Sequence, residues 1–138
     1  MTSRIQYNNP QQAEALGLPY HYEMVSDMKR VTPFKKAIQK VCKNKRVLES
    51  GAGSGILSIL AAKAGASKVY AVEIDPKIAR FADANIKKSG FQDRIKLIRK
   101  DIFKVTLDDN DDERVEVEIA ENLSTWQVTE SKIPILNY

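Results

Sequence analysis

Val47-Leu48-Glu49-Ser50-Gly51-Ala52-Gly53-Ser54-Gly55-Ile56 is the stretch that decides the fold. A short strand-like run from Arg46 to Glu49 leads into three glycines at alternate positions, and an Ile/Leu/Ala helical pattern from Ile56 to Ala64 follows at once, ending near Gly65. Glycine tolerates positive φ and lacks the Cβ that would hold a ligand off the backbone, so strand, glycine turn and helix together make a seat for a nucleoside and its charged tail. A glycine at position 56 would complete the dinucleotide fingerprint G-x-G-x-x-G; Ile56 breaks it and disfavours an NAD-type oxidoreductase. Glu49, just ahead of the first glycine, adds a carboxylate suited to a cationic ligand.

Working outward, Lys68 to Glu73 (K-V-Y-A-V-E) predicts a second strand. Pro76 to Ser89 predicts an amphipathic helix closed by Gly90, and Ile95 to Arg99 a third strand. After an acidic loop with the run Asp108 to Glu113, the alternation of Val115 to Ala120 (V-E-V-E-I-A) predicts a fourth strand. Upstream, apolar residues recur at helical spacing between Tyr22 and Cys42, first Met24, Val25, Met28 and Val31, then Phe34, Ala37, Ile38 and Val41. This predicts two helices, with Pro33 at the start of the second. Residues 1–20 are expected to form an arm and residues 21–138 a single domain. The alternation of strands and helices implies a Rossmann-like, three-layer α/β fold with a mostly parallel sheet of about four strands, ordered 3-2-1-4, and a ligand at the carboxyl ends of the strands.

The chain has 138 residues, 43% of them hydrophobic and 29% charged, which suits one globular domain with a real core. A net charge of +4 is spread along the chain and not gathered in an arginine-rich stripe, so nucleic acid stays open as a partner without being indicated. The single cysteine, Cys42, forbids an internal disulfide and is expected to be packed. No Cys/His cluster has zinc spacing, so no metal is expected. No apolar run is long enough to span a membrane, and the polar start Met1-Thr2-Ser3-Arg4 lacks the apolar stretch of a signal peptide. A cytoplasmic protein with no membrane partner is the expectation.

The carboxylates suggest the ligand. Glu49 suits the ammonium and sulfonium of S-adenosylmethionine (SAM). Glu73 follows Gly51 by about 20 residues, at the end of the second strand, where an acidic side chain can accept hydrogen bonds from both ribose hydroxyls. Asp101 follows the third strand, where it either accepts the adenine amino group, with Ile102 covering the ring, or is a solvated turn residue. Ile74 and Asp75 would flank the adenosine, although Asp75 before Pro76 equally suits a helix cap. His21 reads as a structural histidine and Trp126 as a packed aromatic.

Glu49 to Asp75 resembles the SAM-binding motif of the class I methyltransferases, and the longer chain resembles the SAM-binding part of the protein arginine methyltransferases. His21-Tyr22-Glu23-Met24-Val25-Ser26-Asp27-Met28-Lys29-Arg30 is similar to that family's helix before the core. The resemblance implies that Arg30 binds the SAM carboxylate, that Met24 lies near the methyl-sulfonium and that Asp27 helps hold the site. With Gly51, Gly53 and Gly55 these residues complete the implied cofactor set. Glu121 and Glu130 reproduce the spacing of the family's paired glutamates, which bracket a substrate guanidinium and act by charge-assisted hydrogen bonding and orientation. Between them the chain reads Asn122-Leu123-Ser124-Thr125-Trp126-Gln127-Val128-Thr129, where the family has a Trp-Met-Gly-Tyr-like stretch. The sequence stops at Tyr138, ahead of the family's last strands and C-terminal barrel, so a truncated version is expected, with a homodimer or a heteromeric partner along the fourth strand. The implied activity is methyl transfer from SAM to a protein, arginine being the first candidate, or to another macromolecular nucleophile. The alternative is a SAM-binding accessory or regulatory module without catalysis of its own.

Overall fold

The structure, a computed structural model, describes residues 28–107 and 114–120, with the backbone alone for 28–30. Helix α1 (Met28–Val41) leads into β1 (Arg46–Ser50), α2 (Ile56–Lys63), β2 (Lys68–Val72), α3 (Pro76–Ser89) and β3 (Ile95–Ile98). A single 3-10 turn (Ile102–Lys104) and β4 (Val117–Ala120) follow. The strands form one sheet in the order β3-β2-β1-β4, with every pair parallel. In register, Leu48 stands between Tyr70 and Glu118, and Ser50 between Val72 and Ala120.

Parallel neighbours need a crossover, and α2 and α3 supply the first two. The chain steps from β1 outward through β2 to β3, then returns to the other side of β1 for β4. The reversal point lies at the carboxyl end of β1, where an open α/β sheet offers its crevice to a ligand. The expected Rossmann-like sheet and strand order are therefore present.

The core explains which residues adopt which element. In β2, Val69, Tyr70, Ala71 and Val72 are consecutively buried, as a central parallel strand covered on both faces requires. Helix α2 buries Leu57, Ile59, Ala61 and Ala62 against the sheet and its neighbours α1 and α3; the two alanines let its backbone approach closely. Helix α3 is bounded by sequence chemistry. Asp75 caps it by accepting from the Lys77 and Ile78 amides at 2.8 and 3.2 Å, Pro76 opens it, and Gly90 closes it at φ 81°.

One expectation needs correction. Pro33 does not begin a second helix: it lies inside the single helix α1. Without an N–H it leaves one helical hydrogen bond unmade, yet the helix continues through it. Phe34, Ile38 and Cys42, four residues apart, lie on one side of the helix and its C-terminal end, and Ile38 and Cys42 are buried in the core shared with α2. Tertiary packing outweighs the local penalty. Smaller differences fall at strand ends: β1 continues to Ser50, β2 stops at Val72, β3 stops at Ile98 and β4 begins at Val117.

Candidate cofactor site

The turn after β1 is held in shape by hydrogen bonds from three directions. The Ala52 amide donates to the Val72 carbonyl at 2.7 Å, tying the turn to the end of β2, and the Gly55 amide donates back to Ala52 at 2.9 Å. The Asn85 amide group donates from α3 to the Ser54 carbonyl at 3.0 Å. Gly51, Gly53 and Gly55 all take positive φ, at 72°, 56° and 82°. At Gly55 the reason for glycine is conformational, not spatial: an added Cβ would meet Ala82 only at ordinary contact distance, 3.6 Å.

Two buried carboxylates stand at this turn. Glu73, 7% exposed, accepts from the Gly53 amide with Oε2 at 2.8 Å and from the Asp75 amide with Oε1 at 3.0 Å, so it joins the glycine turn to the head of α3. Glu49, 3% exposed, accepts from both the backbone amide and the hydroxyl of Ser58, the amide at 2.9 Å. Hydrogen bonds from these backbone and hydroxyl donors offset the cost of burying the two carboxylates. Beside them Ile74 is 66% exposed, an apolar side chain presented to the outside next to the Glu73 carboxylate.

The Asp75 carboxylate caps α3, one of the two roles its place before Pro76 suits. Asp101 caps the 3-10 turn, accepting from the Phe103 amide at 3.1 Å, and it and Ile102 are half-buried at the carboxyl end of β3. Thus Glu49, Glu73, Ile74, Asp101 and the three glycines all fall at the carboxyl ends of β1, β2 and β3 or in the turn beside them. Arg30 falls in the first turn of α1, its side chain outside the described set. Met24, Asp27, His21, Glu121, Trp126 and Glu130 lie outside the described residues, as does the acidic run Asp108 to Glu113.

Two residues were missed by the sequence reading: Ser58, which holds the Glu49 carboxylate, and Asn85, which holds the turn. Each is a single polar residue on an otherwise ordinary helix. The only signal was a buried-side position in α2 for Ser58 and the polar break in the apolar stripe of α3 for Asn85.

The amino ends of the strands carry different chemistry. The buried Arg46 donates to the Tyr70 hydroxyl at 2.7 Å and lies 5.6 Å from its ring centre. Glu116 bridges Lys45 at 2.9 Å and the Arg46 amide at 3.1 Å. The Lys45 hydrogen bond, then the Arg46 amide, hold the Glu116 carboxyl below the usual range. Burial pushes the Cys42 thiol above its usual range, so it packs as an apolar group, as expected. Among the described residues no His/Cys/Asp/Glu group could hold a metal, and no helix is long and apolar enough to cross a membrane.

A parallel sheet ordered 3-2-1-4, with a left-handed glycine turn at its reversal point and buried glutamates after β2 and within β1, has the Rossmann-like fold of the SAM-dependent methyltransferases. Comparison with known proteins agrees. The family profile described as ribosomal protein L11 methyltransferase (PrmA) matches residues 34–125, and the chain belongs to this methyltransferase family, whose methyl donor is SAM. An uncharacterized protein of Methanocaldococcus jannaschii, MJ1452, is 39% identical over 119 residues, covering 86% of this chain and 44% of that protein. The probable protein arginine N-methyltransferase 1.2 of Arabidopsis thaliana is 41% identical over 90 residues, covering 63% of this chain and 24% of that one. Among solved structures, the Trypanosoma brucei PRMT1 enzyme–prozyme heterotetrameric complex with AdoHcy superposes with a TM-score of 0.73 at 36% identity, over 82% of this chain and 35% of that one. The chain spans less than half the length of these relatives.

Proposed function

We propose that this chain holds SAM at the carboxyl ends of β1 to β3 and transfers its methyl group to a protein, with an arginine side chain as acceptor. The observation that carries the cofactor half is Glu73: backbone amides fix both of its oxygens, and each keeps a second lone pair for a ribose hydroxyl. The Glu49 charge at the head of the turn suits a cationic ligand, the positive-φ glycines leave the backbone open to close approach, and Ile74 offers an apolar surface for the adenine ring. In this reading Asp101 and Ile102 meet the other side of the adenine, Arg30 the amino-acid carboxylate, and Met24 the region of the sulfonium. The arginine methyltransferase names of the relatives, together with the spacing of Glu121 and Glu130, support the acceptor half.

Bound SAM supplies a methyl group on a sulfonium, already activated toward nucleophiles. What remains for the chain is to orient the acceptor and to stabilise its positive charge. Glu121 and Glu130 do this by accepting hydrogen bonds from the guanidinium, so that one nitrogen is aimed and the charge is countered. The test is a radiolabelled methyl-transfer assay on arginine-rich protein substrates. Glu121→Gln and Glu130→Gln are expected to reduce transfer by about a hundredfold or more, the scale of lost electrostatic stabilisation, with SAM affinity unchanged. Transfer at the wild-type rate in both variants would remove the two glutamates from the reaction.

A second reading, a SAM-binding accessory subunit without transfer of its own, draws support from the enzyme–prozyme assembly of the Trypanosoma brucei neighbour. The assay separates the two: an accessory subunit binds SAM and methylates nothing alone. The same assembly supports a homodimer or heteromeric partner for this chain, and a strictly monomeric species by light scattering at micromolar concentration would sink that idea.

A further inference from the structure

We infer that Asn85 is a positioning residue for the cofactor: from α3 it locks the peptide between Ser54 and Gly55 in one orientation and thereby sets SAM affinity without touching the ligand. The inference rests on the SAM reading of the glycine turn. A trans peptide carries its C=O and N–H on opposite edges, so fixing both fixes the plane. Here the Ser54 carbonyl accepts from the Asn85 side-chain amide at 3.0 Å, and the Gly55 amide donates to the Ala52 carbonyl at 2.9 Å. The lock is needed because of the residue that follows. Gly55 sits at φ 82°, but glycine populates positive and negative φ about equally, so its own backbone preference does not choose between this peptide orientation and a flipped one.

The other anchors of the turn do not substitute for it. Ala52 is tied to β2 and Gly53 to Glu73, both upstream of the Ser54–Gly55 peptide, and the Ile59 amide binds the Gly55 carbonyl downstream at 3.0 Å. Asn85 is the one α3 side chain among the described residues that donates to the turn. Its position one helical turn beyond Ala82, which lies against Gly55, places its amide at the carbonyl.

The experiment is calorimetric titration of the full chain with SAM and S-adenosylhomocysteine, for wild type, Asn85→Ala and Asn85→Asp, alongside urea unfolding without ligand. One net hydrogen bond corresponds to a loss of about three- to tenfold in affinity for both ligands in Asn85→Ala. Asn85→Asp keeps the volume but turns a carboxylate oxygen toward the carbonyl, so it is expected to bind at least as weakly as Asn85→Ala. A packing role would instead spare the isosteric variant. Faster hydrogen exchange at the Gly55 amide in both variants, with protection in β1 and β2 retained, is the accompanying sign. Wild-type affinity in Asn85→Asp, with wild-type SAM binding intact, overturns the inference alone. A wild-type chain that binds neither ligand overturns the SAM reading and the inference with it.

Discussion

Both ends of the sheet bury charge, but they satisfy it differently. At the carboxyl ends, Glu73 and Glu49 accept from main-chain amides and one hydroxyl, while at the amino ends the Arg46 side chain donates to Tyr70 and Lys45 to Glu116, whose other oxygen accepts from the Arg46 amide. Main-chain donors in a tied turn cannot swing away, and the two amides that reach Glu73 place one bond on each of its oxygens. The side-chain pairs at the amino ends join β1 to β2 and the segments just ahead of β1 and β4. On the proposed reading the carboxyl-end charges serve a ligand and the amino-end charges the fold, a contrast that substitutions acting at one end only can break.

The largest effect is expected at Glu73. On the proposed reading Glu73→Ala removes two acceptors for ribose hydroxyls, each charge-assisted bond being worth about 1.5–3 kcal/mol, so SAM affinity should fall by about a hundredfold or more in a calorimetric titration. Retained affinity would place the ligand elsewhere. At the other end, Arg46→Ala strands the buried Tyr70 hydroxyl and opens packing space, and should cost about 2–3 kcal/mol in urea unfolding with SAM affinity unchanged. An equal loss of affinity there would erase the distinction between the two ends. Gly55→Ala forces a side chain into the left-handed region with room for its Cβ, so about 1–2 kcal/mol of stability should be lost through backbone strain, together with some SAM affinity.

The smallest effect is expected at Glu116, which is exposed. Its carboxyl is held below the usual range in the folded chain, so its contribution is complete above the ordinary carboxylate pKa and is lost as pH falls through that range toward the depressed folded value. Glu116→Gln should therefore flatten the acid side of the stability profile slightly and change nothing at neutral pH beyond the loss of the ion pair with Lys45. Acid profiles that superimpose would show that the bridge contributes nothing.

How much of this was legible in the sequence follows from how local each cause is. Helix α3 was read to its end residues because Asp75, Pro76 and Gly90 act on their own backbone. The alternation of strands and helices marked a parallel sheet, the expected Rossmann-like plan supplied its order, and the glycine turn with Glu49 and Glu73 marked the place of the candidate site. Pro33 was misread because its local meaning, a helix start, is overruled by the burial of Ile38 and Cys42 against distant chain. Ser58 and Asn85 escaped because a hydrogen bond to another element, to Glu49 in β1 or Ser54 in the turn, leaves no spaced motif, only a polar residue on an apolar helix face. Asp75 and Asp101 show the reverse: each was offered as an adenosine contact and is also a cap.

The central claim is that the carboxyl end of this sheet is a SAM site built around Glu73. Calorimetric titration of the chain with SAM, S-adenosylhomocysteine and NAD, with Glu73→Ala as control, tests it most directly. Micromolar binding of the two adenosyl ligands, lost in Glu73→Ala and absent for NAD, is the predicted result. No binding of either adenosyl ligand, or binding that Glu73→Ala leaves intact, would contradict it.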